Sequence, residues 1–199
     1  QGIRVIPDLV VNHTYIDAEI YKRHPGWFNH ENPCAEQGWN DAVIKTCWFT
    51  PYMPDFDYNN ADARKAVIDH AIWLIQHFDF DGFRADALKH IEDVFVKELR
   101  SAVKEKIETT VKNHDMPDEA EVFYMVGESL GDDWPRYHTR ADMVQGQVNE
   151  QFYYMAKNAI LKGTSYNTLA YDVTNDWDRA YLTEKDTYKP AGGRGGFPG

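Results

Sequence analysis

Asp81-Gly82-Phe83-Arg84-Ala85-Asp86-Ala87-Leu88-Lys89-His90 is the stretch whose reading decides how this chain folds. Taken as a buried strand it alternates faces with period 2, so Gly82, Arg84 and Asp86 point one way while Phe83, Ala85 and Ala87 point the other. One face carries chemistry and the other packing. An arginine two residues from a carboxylate keeps that carboxylate ionised, the state a nucleophile needs. A structural ion pair at a strand end is the plainer alternative.

Working outward, residues 3–11 open as a first strand and lead into an irregular segment, 14–52, rich in Pro, Gly, Asn and Trp. Loops this long in a compact domain are usually functional. Asn60 is placed to cap a helix in which Val67, Ala71, Leu74, Ile75 and Phe78 recur at spacings of three and four. After the strand 80–87 an amphipathic helix is predicted over 91–112, its inner face formed by Ile91, Phe95, Leu99, Ala102, Val103 and Ile107. A polar turn over 115–119 precedes a strand over 122–126, which ends at Gly127 and Glu128. A weaker strand over 143–148 leads to a helix carrying Phe152, Met155, Ala156, Ala159 and Ile160 and closed by Gly163. The residues at 192–199 are too Gly-rich for regular structure.

Strand then helix, three times over, implies a parallel sheet with helices outside it. A doubly wound sheet and a barrel both fit. No GxGxxG follows a strand as a dinucleotide site requires, which favours an α/β fold of the partial (β/α)8 barrel kind.

Composition narrows the partners. With 199 residues, 43% of them hydrophobic, the chain can bury a core. A net charge of -11 without a basic stripe argues against nucleic acid and anionic lipid. No run of about 18 apolar residues is present to span a membrane. Trp27, Trp39, Trp48, Trp73, Trp134 and Trp177 include several in polar, loop-like surroundings, where they stack on sugar rings or simply fill core and interface. Cys34 and Cys47 bracket part of the long loop. A bridge between them would imply an oxidising compartment, and two free thiols are the alternative. Residue 1 runs directly into strand pattern without a Met or a signal peptide, which reads as part of a longer protein and leaves location unaddressed.

In a parallel barrel the active site lies at the carboxyl ends of the strands. Here the first strand ends in Asp8, Asn12 and His13, the second in Arg84, Asp86, Lys89 and His90, and the third in Glu128. Two carboxylates in unlike settings, one beside an arginine and one after an apolar run, suit a nucleophile and a proton donor. Retaining glycoside hydrolysis uses such a pair, roughly 5 Å apart.

Asp8-Leu9-Val10-Val11-Asn12-His13, Met53-Pro54-Asp55, the run from Gly82 to His90, and Gly127-Glu128-Ser129 resemble, in order, four signature regions of the alpha-amylase family of glycoside hydrolases. The likeness extends over about residues 2–160 and implies barrel strands 3 to 6, with 14–52 as an inserted loop or small B subdomain after strand 3. The whole chain, 1–199, would then be one incomplete catalytic domain. By position, Asp86 resembles the nucleophile and Glu128 the general acid, with Arg84 orienting Asp86. His13, Lys89 and His90 resemble sugar-contacting residues, and Asp8 a support beneath His13. Asn12, Asp55 and the His90 carbonyl match positions that hold a structural calcium in many members, an oxygen set suited to that ion. Lys89 beside His90 resembles the pairing of starch-degrading members.

The resemblance implies retaining endo-hydrolysis of alpha-1,4-glucosidic bonds in a starch-like glucan by a monomeric parent enzyme. Exo-acting alpha-glucosidase or transglycosylase activity is the near alternative, and a non-catalytic relative the remote one. The family's third carboxylate, an Asp in a His-Asp pair, has no match after Gly127, so the 199-residue chain alone is expected to be inactive and poorly soluble. Family habit and the two cysteines suggest a secreted or periplasmic protein.

Overall fold

The strand order decides between the two architectures. In the computed structural model, β1 (Asp8–Leu9), β2 (Gly82–Ala85), β3 (Tyr124–Gly127) and β4 (Gly146–Gln147) form one sheet in the order β1-β2-β3-β4, every pair parallel. A doubly wound sheet reverses its order at a switch point, whereas consecutive parallel neighbours are what a barrel wall requires. The structure describes residues 3–39, 42–108, 123–129, 138, 143–148 and 150–163. The expected turn at 115–119, the helix beyond 108, Trp134, Trp177, the glycines of 192–199 and the side chains of Phe152 and Met155 lie outside the described residues.

The first strand is shorter than its pattern suggests. Pro7 interrupts it without an N–H to donate, and the Val5 N–H goes to the Asp81 carboxylate at 2.6 Å rather than to a carbonyl. Ile3, Val5 and Ile6 are exposed, so the expected buried strand over 3–11 contracts to a short ladder beside β2.

Helix α1 (Glu19–Arg23) lies in the long loop; α2 (Ala61–Phe78) precedes β2, α3 (Asp93–Val103) follows it, and α4 (Glu150–Lys162) follows β4. Asn60 caps α2 by accepting from the Asp62 and Ala63 N–H groups at 3.0 and 3.3 Å. Val67, Ile68, Ala71, Ile72 and Ile75 of α2 are buried. Phe78 is not, being 52% exposed, because the stripe centres on Ile68, Ala71 and Ile75 and the chain leaves the helix at Asp79. Asp79 closes α2 in the left-handed region (φ 55°), a place that favours glycine.

Helix α3 presents Phe95, Val96, Leu99 and Val103 to the core and packs beside α2. It passes into a wide π turn over Lys104–Glu108, where the described residues of this segment end. There Arg100, itself buried, makes a two-pronged ion pair with Glu108 at 2.7 and 3.2 Å. In α4, Ala159 is buried but Ile160 is exposed, so only part of the expected stripe faces inward. Gly163 follows in the left-handed conformation that a helix end favours. No helix among the described residues is long and apolar enough to cross a membrane.

The long loop folds back on the sheet end. Bridges pair His13 with Asp55 and Phe28 with Phe56, the latter two packing at 4.2 Å within the main core. Cys34 and Cys47 are bonded to each other and fully buried.

Candidate active site

Register places the chemistry. Asp8 pairs with Arg84, and Arg84 with Val126, so these residues share one level and one face. Two residues further along, on the same face, come Asp86 and Glu128. Three backbone bonds fix this level: Asp86 N–H to the Leu9 carbonyl (3.1 Å), Glu128 N–H to that of Ala85 (2.9 Å), and Leu88 N–H to that of Glu128 (2.8 Å). Immediately after Asp86, Ala87 adopts the left-handed conformation (φ 50°) and turns the chain into a short 3-10 turn, Leu88–His90.

Arg84 is the hub. Its Nη1 donates to Asp8 at 2.5 Å and to Asp86 at 2.7 Å, while Nη2 pairs with Glu128 at 2.7 Å. Burial works against its charge, yet the three carboxylates outweigh that and raise its pKa above the ordinary arginine value. One guanidinium thus touches both proposed catalytic carboxyls. Asp8 serves this hub, where the resemblance suggested a support for His13.

His13 faces Asn12 through Nδ1, 3.2 Å from the amide oxygen. Burial holds its pKa below the ordinary value, against the pull of the Asp86 charge. His90 is buried, its Nδ1 2.9 Å from the Ile44 carbonyl, and burial lowers its pKa to about 4. The imidazole is therefore neutral near neutral pH. Lys89 lies half-buried on the same 3-10 turn.

The residues expected at a calcium come together. The Asn12 amide donates to Asp55 at 2.7 Å and to the His90 carbonyl at 3.1 Å, and Asn29 donates to the other Asp55 oxygen at 2.8 Å. Asp55 is buried with, among the described residues, these neutral amides as its side-chain partners, and burial raises its pKa well above the ordinary value. A carboxylate, a carbonyl and an amide oxygen suit calcium, provided the Asn12 amide turns over to offer oxygen in place of nitrogen. Among the described residues no three His, Cys, Asp or Glu side chains cluster as a metal site.

Two participants escaped the sequence reading. Asn29 lies 26 residues before its partner Asp55, and no local pattern links them. Glu92, buried, accepts from the Tyr58 N–H at 3.1 Å, while its other oxygen has no hydrogen-bond partner. Burial pushes its pKa to about 7. Glu92 falls in the first turn of the helix predicted over 91–112, where an acidic residue is ordinary, whereas in the structure it stands just before α3.

Comparison with known proteins agrees with this geometry. The sequence model of the alpha amylase catalytic domain matches residues 1–192. An intracellular maltogenic amylase of Bacillus subtilis is 28% identical over 113 residues, 52% of this chain and 18% of that protein. A cytoplasmic alpha-amylase of Escherichia coli is 33% identical over 82 residues, 40% of this chain and 17% of that protein. An oligo-1,6-glucosidase of Saccharomyces cerevisiae is 28% identical over 116 residues, 43% of this chain and 20% of that protein. Among solved structures, the alpha-amylase of Geobacillus thermoleovorans complexed with acarbose superposes with a TM-score of 0.60 at 26% identity, over 78% of this chain and 32% of that one. The chain spans about a fifth of the length of the curated relatives it matches. The expectation of a secreted or periplasmic protein needs correction: two of these relatives are named as intracellular or cytoplasmic, which points away from secretion and outweighs a single bridged cysteine pair. Four parallel strands in barrel order, a shared arginine at their carboxyl ends and a catalytic-domain match over almost the whole length together establish that this chain belongs to the alpha-amylase family of glycoside hydrolases.

Proposed function

We propose that these residues, within a complete barrel, carry out retaining hydrolysis of alpha-1,4-glucosidic bonds in starch-like glucans. The observation that carries the reading is one guanidinium in contact with both Asp86 and Glu128, compatible with the carboxyl spacing of about 5–5.5 Å that retaining enzymes use. Asp86 attacks the anomeric carbon and forms a glycosyl-enzyme bond as the glycosidic C–O bond breaks. Glu128 gives its proton to the departing oxygen, then takes one from the water that cleaves the intermediate. Donation needs the protonated acid, so Glu128 exchanges its contact with Arg84 for one with the substrate oxygen. His13, Lys89 and His90 bind and orient the sugars, and a third carboxylate is expected from a strand outside this sequence.

The oligo-1,6-glucosidase relative favours a second reading, exo-acting cleavage of short alpha-glucosides. Product analysis on soluble starch separates them: a spread of maltooligosaccharides supports endo action, glucose alone the alternative. Asp86→Asn and Glu128→Gln should each lower the rate by several orders of magnitude. Activity within tenfold of the parent would sink both readings.

Asn12, Asp55 and the His90 carbonyl would hold a structural calcium, supported by the buried Asp55 carboxylate, which has no cationic partner among the described residues. The ion would supply that charge and tie the long loop to the strand ends. A chelator should then lower the Tm of the parent protein and leave an Asp55→Asn variant unmoved, and equal behaviour of the two would refute it.

A further inference from the structure

Glu128 has to leave Arg84 in order to protonate the departing oxygen, so whatever holds its backbone decides where the freed carboxyl goes. Up to Glu128 the chain is held by the sheet. The Glu128 N–H donates to the Ala85 carbonyl at 2.9 Å, its own carbonyl accepts from the Leu88 N–H at 2.8 Å, and the Gly127 carbonyl accepts from the Val148 N–H at 2.9 Å. Just past Glu128 a side chain takes over. The Ser129 hydroxyl lies 3.0 Å from Nδ1 of His138, nine residues further along. Ser129 is buried and His138 fully so, whereas Glu128 is half-buried.

The hydroxyl both donates and accepts, so the contact forms with either ring tautomer. His138 is tied in turn towards β4. Its carbonyl accepts from the Met143 N–H at 3.1 Å, Met143 is fully buried, and two residues on the Gln145 N–H donates to the Met125 carbonyl of β3 at 2.9 Å. The route from Glu128 through Ser129 and His138 therefore closes on the strand that Glu128 has just left.

A hydroxyl and an imidazole are costly filling for a buried space. An apolar pair of the same shape would serve with little loss of stability, because it takes no polar group out of water. What the polar pair adds is a fixed distance and angle. The residue before Glu128 is set as closely: a Cβ on Gly127 would collide with a Leu88 methyl and fall 2.8 Å from the Gln147 amide nitrogen. Glu128 is thus braced through both of its neighbours.

We propose that His138 is a positioning residue for the general acid, fixing the backbone of Glu128 through the Ser129 hydroxyl so that the carboxyl swings from Arg84 to the leaving-group oxygen. The inference rests on the hydrolytic reading above. It adds two buried residues that act through Glu128.

The test uses a protein carrying this sequence within a complete barrel, and two substrates that differ in their need for a proton. Maltoheptaose releases a sugar hydroxyl that must be protonated as it leaves, whereas alpha-maltosyl fluoride expels fluoride without that help. For Ser129→Ala, and for Ser129→Ala combined with His138→Phe, kcat/KM on maltoheptaose should fall about 10- to 100-fold and on the fluoride by less than about threefold. The double variant exchanges both polar partners for apolar ones, so its guanidinium midpoint should stay near that of the parent; an activity loss there reports positioning and not unfolding. Glu128→Gln calibrates the split and should show it more strongly. If Glu128→Gln discriminates between the substrates while the Ser129 and His138 variants lose equally on both, or keep maltoheptaose activity within about threefold of the parent, the inference alone is overturned. If Glu128→Gln does not discriminate, the assignment of the general acid fails and this inference with it.

Discussion

Replacing Gly82 by alanine tests whether strand register holds the catalytic level in place. A Cβ at this position would meet the Tyr124 carbonyl oxygen at 2.2 Å and the Ile6 side chain at 3.3 Å. Real Cβ contacts essentially never fall below 3.0 Å, so β2 and β3 must part by about 0.8 Å where Gly82 pairs with Tyr124. The neighbouring bond from the Tyr124 N–H to the Asp81 carbonyl is already 3.2 Å, and that displacement carries it beyond hydrogen-bonding range. One lost bond costs about 1 kcal/mol net, and overpacking in a tight site adds about 1–3 kcal/mol. The expected destabilisation is therefore about 2–4 kcal/mol. Because Arg84 and Asp86 follow on the same strand while Glu128 follows β3, the displacement should also reduce kcat. Guanidinium denaturation with a parallel rate measurement reads both quantities. Gly26→Ala is the control, since nothing lies within 4 Å of its added Cβ, and it should stay within about 0.5 kcal/mol of the parent. If Gly82→Ala behaved like Gly26→Ala in stability and rate, the assignment of the register as the positioning element would be wrong.

The remaining expectations concern single side chains. Arg84→Lys keeps the charge but cannot present two separated nitrogens to Asp86 and Glu128; losing one charge-assisted bond of about 1.5–3 kcal/mol should cut kcat roughly 10- to 150-fold, and a change under threefold would contradict the hub role. Asp79→Gly relieves a left-handed residue and removes a negative charge from a helix C-terminus, so the denaturation midpoint should rise by the equivalent of about 0.5–1 kcal/mol, and a fall would refute this. Glu92 has its pKa raised from 4.5 to about 7 in the folded state, so the fold binds the extra proton and loses stability as pH climbs through that window. Glu92→Gln should therefore be more stable than the parent at pH 8, by about 1–3 kcal/mol, with the advantage fading below pH 5; stability curves that stay parallel across this range would rule out the burial of that charge.

The barrel was legible because period-2 apolar runs followed by 3.6-period helices are written locally, and the signature residues fall where those runs end. The doubly wound alternative stayed open in sequence, since strand order is a long-range property that no single repeat encodes. The first strand was overread, as the apolar residues at Ile3, Val5 and Ile6 resemble any buried run and only pairing reveals that Pro7 and the Asp81 carboxylate break the ladder. At the site, Asp86, Glu128 and Arg84 were named from their places at strand ends and from the family resemblance, and the structure brings the three into contact, but Asp8 joining the same guanidinium depends on cross-strand register. Asn29 was beyond pattern reading because its partner is distant, and the left-handed backbone at Trp39, a residue the sequence did single out, was unforeseen because backbone strain leaves no mark in composition.

The clamp at the far end of α3 bears on how the chain can change length. Glu108 accepts from Arg100 on one side and from the Phe123 N–H, at 2.9 Å, on the other, so the connection leaves and returns to a single tied point just ahead of β3. Residues added between those two positions are spliced in outside the tie, and closing a longer loop costs little, about 0.6 kcal/mol for each doubling of length. The spacing of Asp86 from Glu128 is thus insulated from the number of residues that separate them. Insertion and deletion can work on that interval as a module while Asp86 and Glu128 keep their register.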